Sequence, residues 1–297
     1  MVHGEGPLSV VALVLVLSAA VAHAAWNILA HGVSRIGMPF LWWGAVISTV
    51  LWLPVIPFTG GIGTGELSGF LLGVGVSGVL HVGYMLVLQR GYRSGSLSTV
   101  YATARGTGPL ISSIAAVVLL GERPGPLALV GAAVIVAGVI AIGLIDRDRE
   151  PVIGERKPID PAIVFGLLTG VAIAVYTIWD AHAIRSWGIS PVAYMVGCTL
   201  VEVPFYTIAL GRGVRELPRI VRAYWPRLLA FGVLSPLSYI LVLSAITIAP
   251  VALVAPIREV SVVMVSLFGA FVLKEGRAGW RVAASVVVVA GIAVLAR

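Results

Sequence analysis

Two arginines lie inside long apolar runs, where a charged side chain needs a partner. Arg105 follows LSTVYATA and Arg258 follows VALVAPI. If both runs are helical, each arginine lies about 12 Å along its helix, at a rise of about 1.5 Å per residue. The planar guanidinium of arginine holds a carboxylate or phosphate through two parallel hydrogen bonds. The pattern predicts that one or both bind an anionic or zwitterionic substrate. The alternative is that they pair with Glu202 or Glu259 and only hold helices together.

Buried acidic residues are the second group with possible chemistry. Glu202 lies in the middle of CTLVEVPFY, and Glu259 adjoins Arg258. A carboxylate in an apolar helix must be paired, solvated or protonated, and each state suits a proton-coupling role. Successive helical residues point about 100° apart, so Glu259 and Arg258 are not expected to face the same partner. Asp180, in IWDAHAIR, is interpreted as an interfacial charge paired with Arg185 rather than as a site residue.

Polar and aromatic side chains form short strips on apolar helices. His23 and Asn27 are four residues apart and share one helix face, with Trp26 beside them. The further candidates for substrate contact are His81, Tyr84, Tyr101, Tyr176 and Tyr239. Either these side chains line a polar pathway, or they form hydrogen bonds between helices.

Several kinds of chemistry have no matching motif. No two histidines at helical spacing are joined by a carboxylate, so no metal ion or other cofactor is expected. The sequence also lacks a Walker loop and a nucleophile elbow. We therefore predict that the chain is not an enzyme.

The composition indicates that lipid surrounds the elements carrying these residues. Of 297 residues, 59% are hydrophobic and 11% are charged, whereas soluble domains contain about 25% charged residues. Continuous apolar runs such as RVAASVVVVAGIAVLA favour helices over barrel strands, which alternate. We predict an all-α integral membrane protein with ten transmembrane helices. The predicted helices cover residues 7–32, 37–58, 66–89, 97–120, 126–145, 160–184, 190–210, 224–246, 250–273 and 278–296.

An internal repeat organises these helices. Shifting the sequence by 153 positions lays Arg105 on Arg258 and Glu122 on Glu275. The predicted parts are a first five-helix repeat at 1–145, a polar linker at 146–159 and a second five-helix repeat at 160–297. Because five is odd, the second repeat enters the membrane inverted, and a substrate site is expected near the midplane between the repeats.

The basic residues predict the orientation. Connections after odd-numbered helices carry fifteen Lys and Arg residues, against three on the other side. The positive-inside rule then places both termini outside the cytoplasm. The net charge of +7 belongs to these loops, so no nucleic acid partner is expected. We expect a multi-pass protein of the bacterial inner (cell) membrane.

The end of the fourth helix in each repeat carries a related turn, LLGERPG and LKEGRAG. With the helix count, these turns resemble the drug/metabolite transporter superfamily, in its ten-helix EamA-type branch. The resemblance implies export or exchange of amino acids and other small metabolites, through a cavity lined partly by the fourth and ninth helices. Two features depart from it. Lys274 replaces a small residue, and relatives are often described with cytoplasmic termini.

The predicted function is secondary active transport, by export or exchange, of small polar metabolites such as amino acids or organic anions. The two inverted halves would alternate access to the site. The alternative is a flippase of a lipid-linked sugar phosphate, since two arginines equally suit a phosphate. A receptor or scaffold is disfavoured because it gains nothing from two costly buried arginines. Expected partners are a carboxylate or zwitterionic metabolite and membrane lipid, with the chain as a monomer or homodimer.

Overall fold

The computed structural model describes residues 8–30, 33, 36–94, 97–145, 160–274 and 276–295, which are largely helical. The α-helices are α1 (Val10–Leu29), α2 (Met38–Trp52), α3 (Leu67–Ser94), α4 (Leu97–Leu119), α5 (Pro126–Ile145), α6 (Pro161–Trp187), α7 (Pro191–Leu210), α8 (Leu217–Ile246), α9 (Val251–Arg258), α10 (Val260–Phe271) and α11 (Ala278–Leu295). Two 3₁₀ helices, Leu53–Thr59 and Gly211–Glu216, follow α2 and α7.

The helices have the length and composition of membrane spans. In the described part of the chain, nine helical stretches are long and apolar enough to cross a membrane. One of them, Pro191–Ile246, contains both α7 and α8. Large apolar side chains such as Trp280 and Val286 point outward, as suits a lipid environment. The predicted all-helical membrane fold is therefore confirmed.

Two local features interrupt the regular helices. The predicted helix over 250–273 corresponds to one apolar stretch, Val251–Phe271, which is interrupted at Glu259, at the junction of α9 and α10. Pro256 lacks a backbone N–H and weakens the helix at this point. The connection between the predicted helices over 190–210 and 224–246 is a 3₁₀ helix followed by the first residues of α8. Tyr224, with φ −129° and ψ 15°, kinks α8 two residues before Pro226.

The chain forms two compact units that draw on both predicted repeats. Unit 1 contains residues 1–13, 83–178 and 248–297, and unit 2 contains residues 14–82 and 179–247. Helices α1, α3 and α6 pass from one unit into the other. The predicted linker, 146–159, lies outside the described residues.

Glycines let two helices of unit 1 come into backbone contact. In this unit α5 packs along α11, and α4 packs against both α5 and α9. A Cβ atom on Gly131 would lie 2.6 Å from the Leu295 nitrogen and 2.7 Å from the Gly291 oxygen. Both atoms belong to the backbone of α11, so neither can move aside as a flexible side chain would.

Gly131→Ala should therefore lower the melting temperature of the purified protein, because α5 and α11 must separate to admit the methyl group. Gly75→Ala in α3 is the matched control, since a Cβ there meets nothing within 4 Å. It should leave stability unchanged or raise it by up to about 1 kcal/mol, the difference in helix propensity. Equal melting temperatures for the two variants would contradict this account of the contact.

Unit 2 is built around α2, α7 and α8, which pack against one another. Tyr194, Cys198 and Leu243 form the centre of its core. Thr64 and Ser190 join two of its loops by backbone hydrogen bonds, from Thr64 N to Gly188 O at 3.0 Å and from Ser190 N to Ile62 O at 3.2 Å. These contacts join the loop before α3 to the connection between α6 and α7, the two helices that carry Asp180 and Tyr194.

Candidate functional sites

In unit 1, two arginines contact one buried carboxylate. The Nη1 atom of Arg105 lies 3.4 Å from both Oε1 and Oε2 of Glu259. The Nε atom of Arg258 lies 3.5 Å from Oε1 of the same residue. The exposed fractions of the side chains are 11% for Arg105, 7% for Arg258 and 2% for Glu259. This trio carries a formal charge of +1 in an apolar environment.

The break between α9 and α10 explains how both arginines reach Glu259. Glu259 lies at the junction of the two helices, with φ −72° and ψ −3°. Arg258 contacts the carboxylate of Glu259 directly, a contact that the expected separation of about 100° did not anticipate. Arg105 comes from α4, which packs against α9.

Tyrosines surround the arginines of this trio. The Tyr101 ring lies one helical turn before Arg105, and the guanidinium carbon is 5.1 Å from the ring centroid, as in a cation–π contact. Tyr84 and Tyr176 also interact electrostatically with Arg105. Their own rings are 5.5 Å apart. Unit 1 thus brings together six of the predicted site residues, Arg105, Arg258, Glu259, Tyr84, Tyr101 and Tyr176.

Glu122 holds the other end of α9. Its Oε1 accepts a hydrogen bond from Val251 N at 2.8 Å, and its Oε2 accepts one from Ala252 N at 2.9 Å. Ser113 donates to the Ala252 carbonyl oxygen at 3.0 Å. A carboxylate at the start of a helix satisfies backbone donors and opposes the positive end of the helix dipole. The repeat singled out Glu122 without giving it this role, and its repeat partner, Glu275, lies outside the described residues.

In unit 2, Asp180 is the centre of a buried polar cluster, contrary to its predicted interfacial position. Its side chain has an exposed fraction of 0%. Its Oδ1 accepts a hydrogen bond from the Tyr194 hydroxyl at 2.8 Å, and its Oδ2 accepts a short one from the Tyr239 hydroxyl. The Nε2 atom of His81 lies 4.0 Å from Oδ2. Helix α6 continues to Trp187, so Asp180 is not at its end.

Arg185 and Glu202 were the other charged residues considered near these sites. The Nε atom of Arg185 donates to the Ile246 carbonyl oxygen at 2.9 Å. Glu202, in α7 of unit 2, interacts electrostatically with Asp180. The carboxylate that Arg105 and Arg258 contact is Glu259. The second predicted carboxylate partner, Glu202, thus belongs to the Asp180 cluster.

The predicted strip on α1 also belongs to unit 2. The Nδ2 atom of Asn27 donates to the His23 carbonyl oxygen at 2.8 Å, one turn earlier in the same helix. The His23 and Trp26 rings are 5.0 Å apart, and Trp26 is 5.0 Å from Phe231 of α8. These contacts resemble the predicted packing between helices as much as a polar pathway. In the described residues, no group of three or more His, Cys, Asp and Glu side chains could hold a metal ion.

The profile of the EamA-like transporter family matches residues 10–144 and 160–297. The chain belongs to the EamA-like transporter family. This transporter is therefore a multi-pass membrane protein of the drug/metabolite transporter superfamily and not an enzyme, as the sequence predicted. None of the curated proteins matches the EamA-like transporter. A crystal structure of a protein 16% identical to it aligns over 95% of both chains, with a TM-score of 0.74. At that identity, the alignment supports the helical fold alone and says nothing of substrate.

Proposed function

We propose that this EamA-like transporter is a secondary active exporter or exchanger of small metabolites that carry a carboxylate, such as amino acids or organic anions, in a bacterial inner membrane. Arg105 and Arg258 hold the substrate carboxylate, and the two inverted halves of the sequence alternate its access to the two sides. The family membership supports transport. The geometry of unit 1 supports the choice of an anionic group.

The observation that carries this proposal is the ratio of two guanidiniums to one carboxylate at Glu259. Burying two guanidiniums costs more free energy than their attraction to one carboxylate recovers, because each ion loses its hydration. A second carboxylate, supplied by the substrate, would bring the local formal charge from +1 to zero. Such a neutralisation makes the site specific for anions and zwitterions over cations.

The contacts also indicate how a substrate would enter the trio. The distances of 3.4 Å from Arg105 to Glu259 exceed the 2.7–2.9 Å typical of charge-assisted hydrogen bonds. A substrate carboxylate that binds Arg105 at the shorter distance would therefore compete well with Glu259. Tyr101 holds the guanidinium from the ring face, and the phenols of Tyr84 and Tyr176 lie close enough to contact the rest of a small substrate.

The test is the thermal stability of the detergent-purified protein against amino acids, organic acids, organic cations and polyprenyl phosphates. A ligand at about a hundredfold excess over its Kd stabilises the folded state by about 2.7 kcal/mol. We expect a carboxylate or zwitterion to raise the melting temperature of the wild type, and the rise to be lost in Arg105→Gln and Arg258→Gln.

Arg281→Gln is the matched control, because Arg281 is another buried arginine of unit 1 and its Nη1 donates to the Ser266 carbonyl oxygen at 3.1 Å. It should lower the basal melting temperature and keep the ligand-dependent rise. If only a polyprenyl phosphate stabilises the wild type through Arg105 and Arg258, the chain is a flippase of lipid-linked sugar phosphates instead. Equal stabilisation of wild type and both variants by every ligand would show that the arginines are structural.

A further inference from the structure

We propose that His81 and Asp180 of unit 2 form a proton-binding site, in which the Nε2 atom of His81 takes up one proton opposite an ionised Asp180. The coupling of this proton to substrate movement rests on the proposed transport function, whereas proton binding itself does not. The site is distinct from the Arg105–Glu259–Arg258 trio, since all its members belong to unit 2.

The contact of Nδ1 with a carbonyl oxygen indicates which tautomer the neutral His81 ring adopts. Nδ1 lies 2.9 Å from the carbonyl oxygen of Ser77. A carbonyl oxygen only accepts hydrogen bonds, so Nδ1 carries the hydrogen. In the neutral ring the other nitrogen, Nε2, then presents its lone pair, and this atom lies 4.0 Å from Oδ2 of Asp180. A lone pair that faces a carboxylate is an unfavourable arrangement. One proton on Nε2 turns it into an ion pair.

The groups around Asp180 favour its ionised form. A carboxylate accepts hydrogen bonds through both oxygens, and Tyr194 donates to one while Tyr239 donates to the other. If Asp180 were protonated, one of its oxygens would carry a hydrogen and could no longer accept as well from the tyrosine hydroxyl beside it. The incoming proton therefore binds His81, where it forms an N–H bond with the lone pair and leaves an imidazolium beside the carboxylate.

Every helix that faces the site contributes to its electrostatics. Helix α3 supplies His81 and the Ser77 hydroxyl, which lies 3.2 Å from Nδ1. Helix α8 supplies Tyr239, whose ring centroid is 5.6 Å from that of His81. Helix α7 supplies Tyr194, together with Cys198 and Glu202, which interact electrostatically with Asp180. Asp180, in its ionised form, adds one negative charge to the cluster, which one proton bound at His81 would neutralise.

The exposure of the two residues suggests a route for the proton. Asp180 is fully enclosed, with an exposed side-chain fraction of 0%, whereas that of His81 is 14%. His81 is therefore the more accessible member of the pair. Histidine is also the side chain whose ordinary titration range, about pH 5 to 8, spans the conditions under which a transporter works.

The first experiment measures proton binding in the substrate-free protein. Nitrogen NMR of histidine-labelled protein, with the His81 signal assigned by His81→Gln, follows Nε2 protonation between about pH 5 and 8. We expect a neutral ring with its hydrogen on Nδ1 at the upper end and an imidazolium at the lower end. If Nε2 of wild-type His81 stays unprotonated throughout, the proposal is overturned without any variant of Asp180.

Asp180→Asn then tests the partner. Loss of the facing carboxylate should weaken proton binding at His81 at least about tenfold, a shift of one pH unit or more in its midpoint. Glu66→Gln, which removes an exposed carboxylate from the residue preceding α3, should leave the midpoint unchanged. A His81 midpoint that is equal in wild type and Asp180→Asn would also overturn the proposal.

Coupling is measured in proteoliposomes with an imposed pH gradient and the carboxylate or zwitterion that stabilises the wild type. Asp180→Asn should keep the ligand-dependent rise in melting temperature and lose the dependence of transport on the gradient. Failure of ligand stabilisation in wild type would contradict the proposed function, and failure of the His81 titration would contradict this inference. Gradient-driven transport by Asp180→Asn at the wild-type rate would show that the bound proton is not the coupling ion.

Discussion

Glu259→Gln should destabilise the folded protein by about 3–5 kcal/mol, the usual cost of removing one partner from a buried ion pair. Glu259 is the carboxylate that both Arg105 and Arg258 contact, and its side chain is 2% exposed. Glutamine has nearly the same shape, so the loss comes from the charge rather than from a cavity. The measurement is the melting temperature of the purified variant.

An added anion should partly reverse this loss. A carboxylate ligand would take the place of Glu259 beside the arginines, so it should raise the melting temperature of Glu259→Gln more than that of the wild type. Glu66→Gln is the control, since Glu66 is exposed and its loss should change stability by less than about 0.5 kcal/mol. Wild-type stability of Glu259→Gln would mean that the arginines do not depend on this carboxylate. The proposed competition with substrate would then be wrong.

The sequence predicted the identity of these charged residues better than their arrangement. Long apolar runs made Arg105, Arg258 and Glu259 conspicuous, because a charge at such a position is costly. Their arrangement depends on the break at Glu259, which helical periodicity does not reveal. Pro256 weakens the helix three residues earlier, but its position does not determine the residue at which the helix is interrupted.

The cluster around Asp180 could not be predicted from the residues close to Asp180 in the sequence. Its nearest basic residue in sequence is Arg185, and an apolar segment that seemed to end at residue 184 suggested a surface position. The partners that the structure gives it, His81, Tyr194 and Tyr239, come from three other helices. His81 and Tyr239 were predicted to contact substrate, yet nothing in their spacing joins them to an aspartate far along the chain.

The importance of Glu122 was predicted from the sequence, but its contacts were not. The repeat identified Glu122 as part of a duplicated turn, which indicates that the residue matters for structure or function. A repeat does not show which groups the carboxylate binds. The structure shows that it caps a helix 129 residues away in sequence. Caps are predicted from neighbouring residues, whereas α9 has no capping hydrogen bond from the side chain of its own N-cap residue, Pro250. A cap supplied over such a separation is a property of the tertiary structure.

Glu122→Ala should therefore destabilise the protein by several kcal/mol. It leaves the buried N–H groups of Val251 and Ala252 without their acceptor, and each such group costs about 1–3 kcal/mol. Asp160→Ala is the matched control, since Asp160 also accepts a backbone hydrogen bond at a helix start, from Ala162 N at 2.9 Å, but is less buried. An ordinary cap of that kind is worth about 0.5–2 kcal/mol.

The effect of Glu122→Ala should also reach the arginine trio, because α9 begins at the capped residues and ends at Arg258. If the cap fixes the position of α9, the variant should bind the stabilising carboxylate more weakly, while Asp160→Ala should bind it as the wild type does. Glu122→Gln separates charge from hydrogen bonding, since its amide oxygen accepts a bond without opposing the helix dipole. A smaller loss of stability in Glu122→Ala than in Asp160→Ala would show that α9 is held mainly by its packing against α4 and α5.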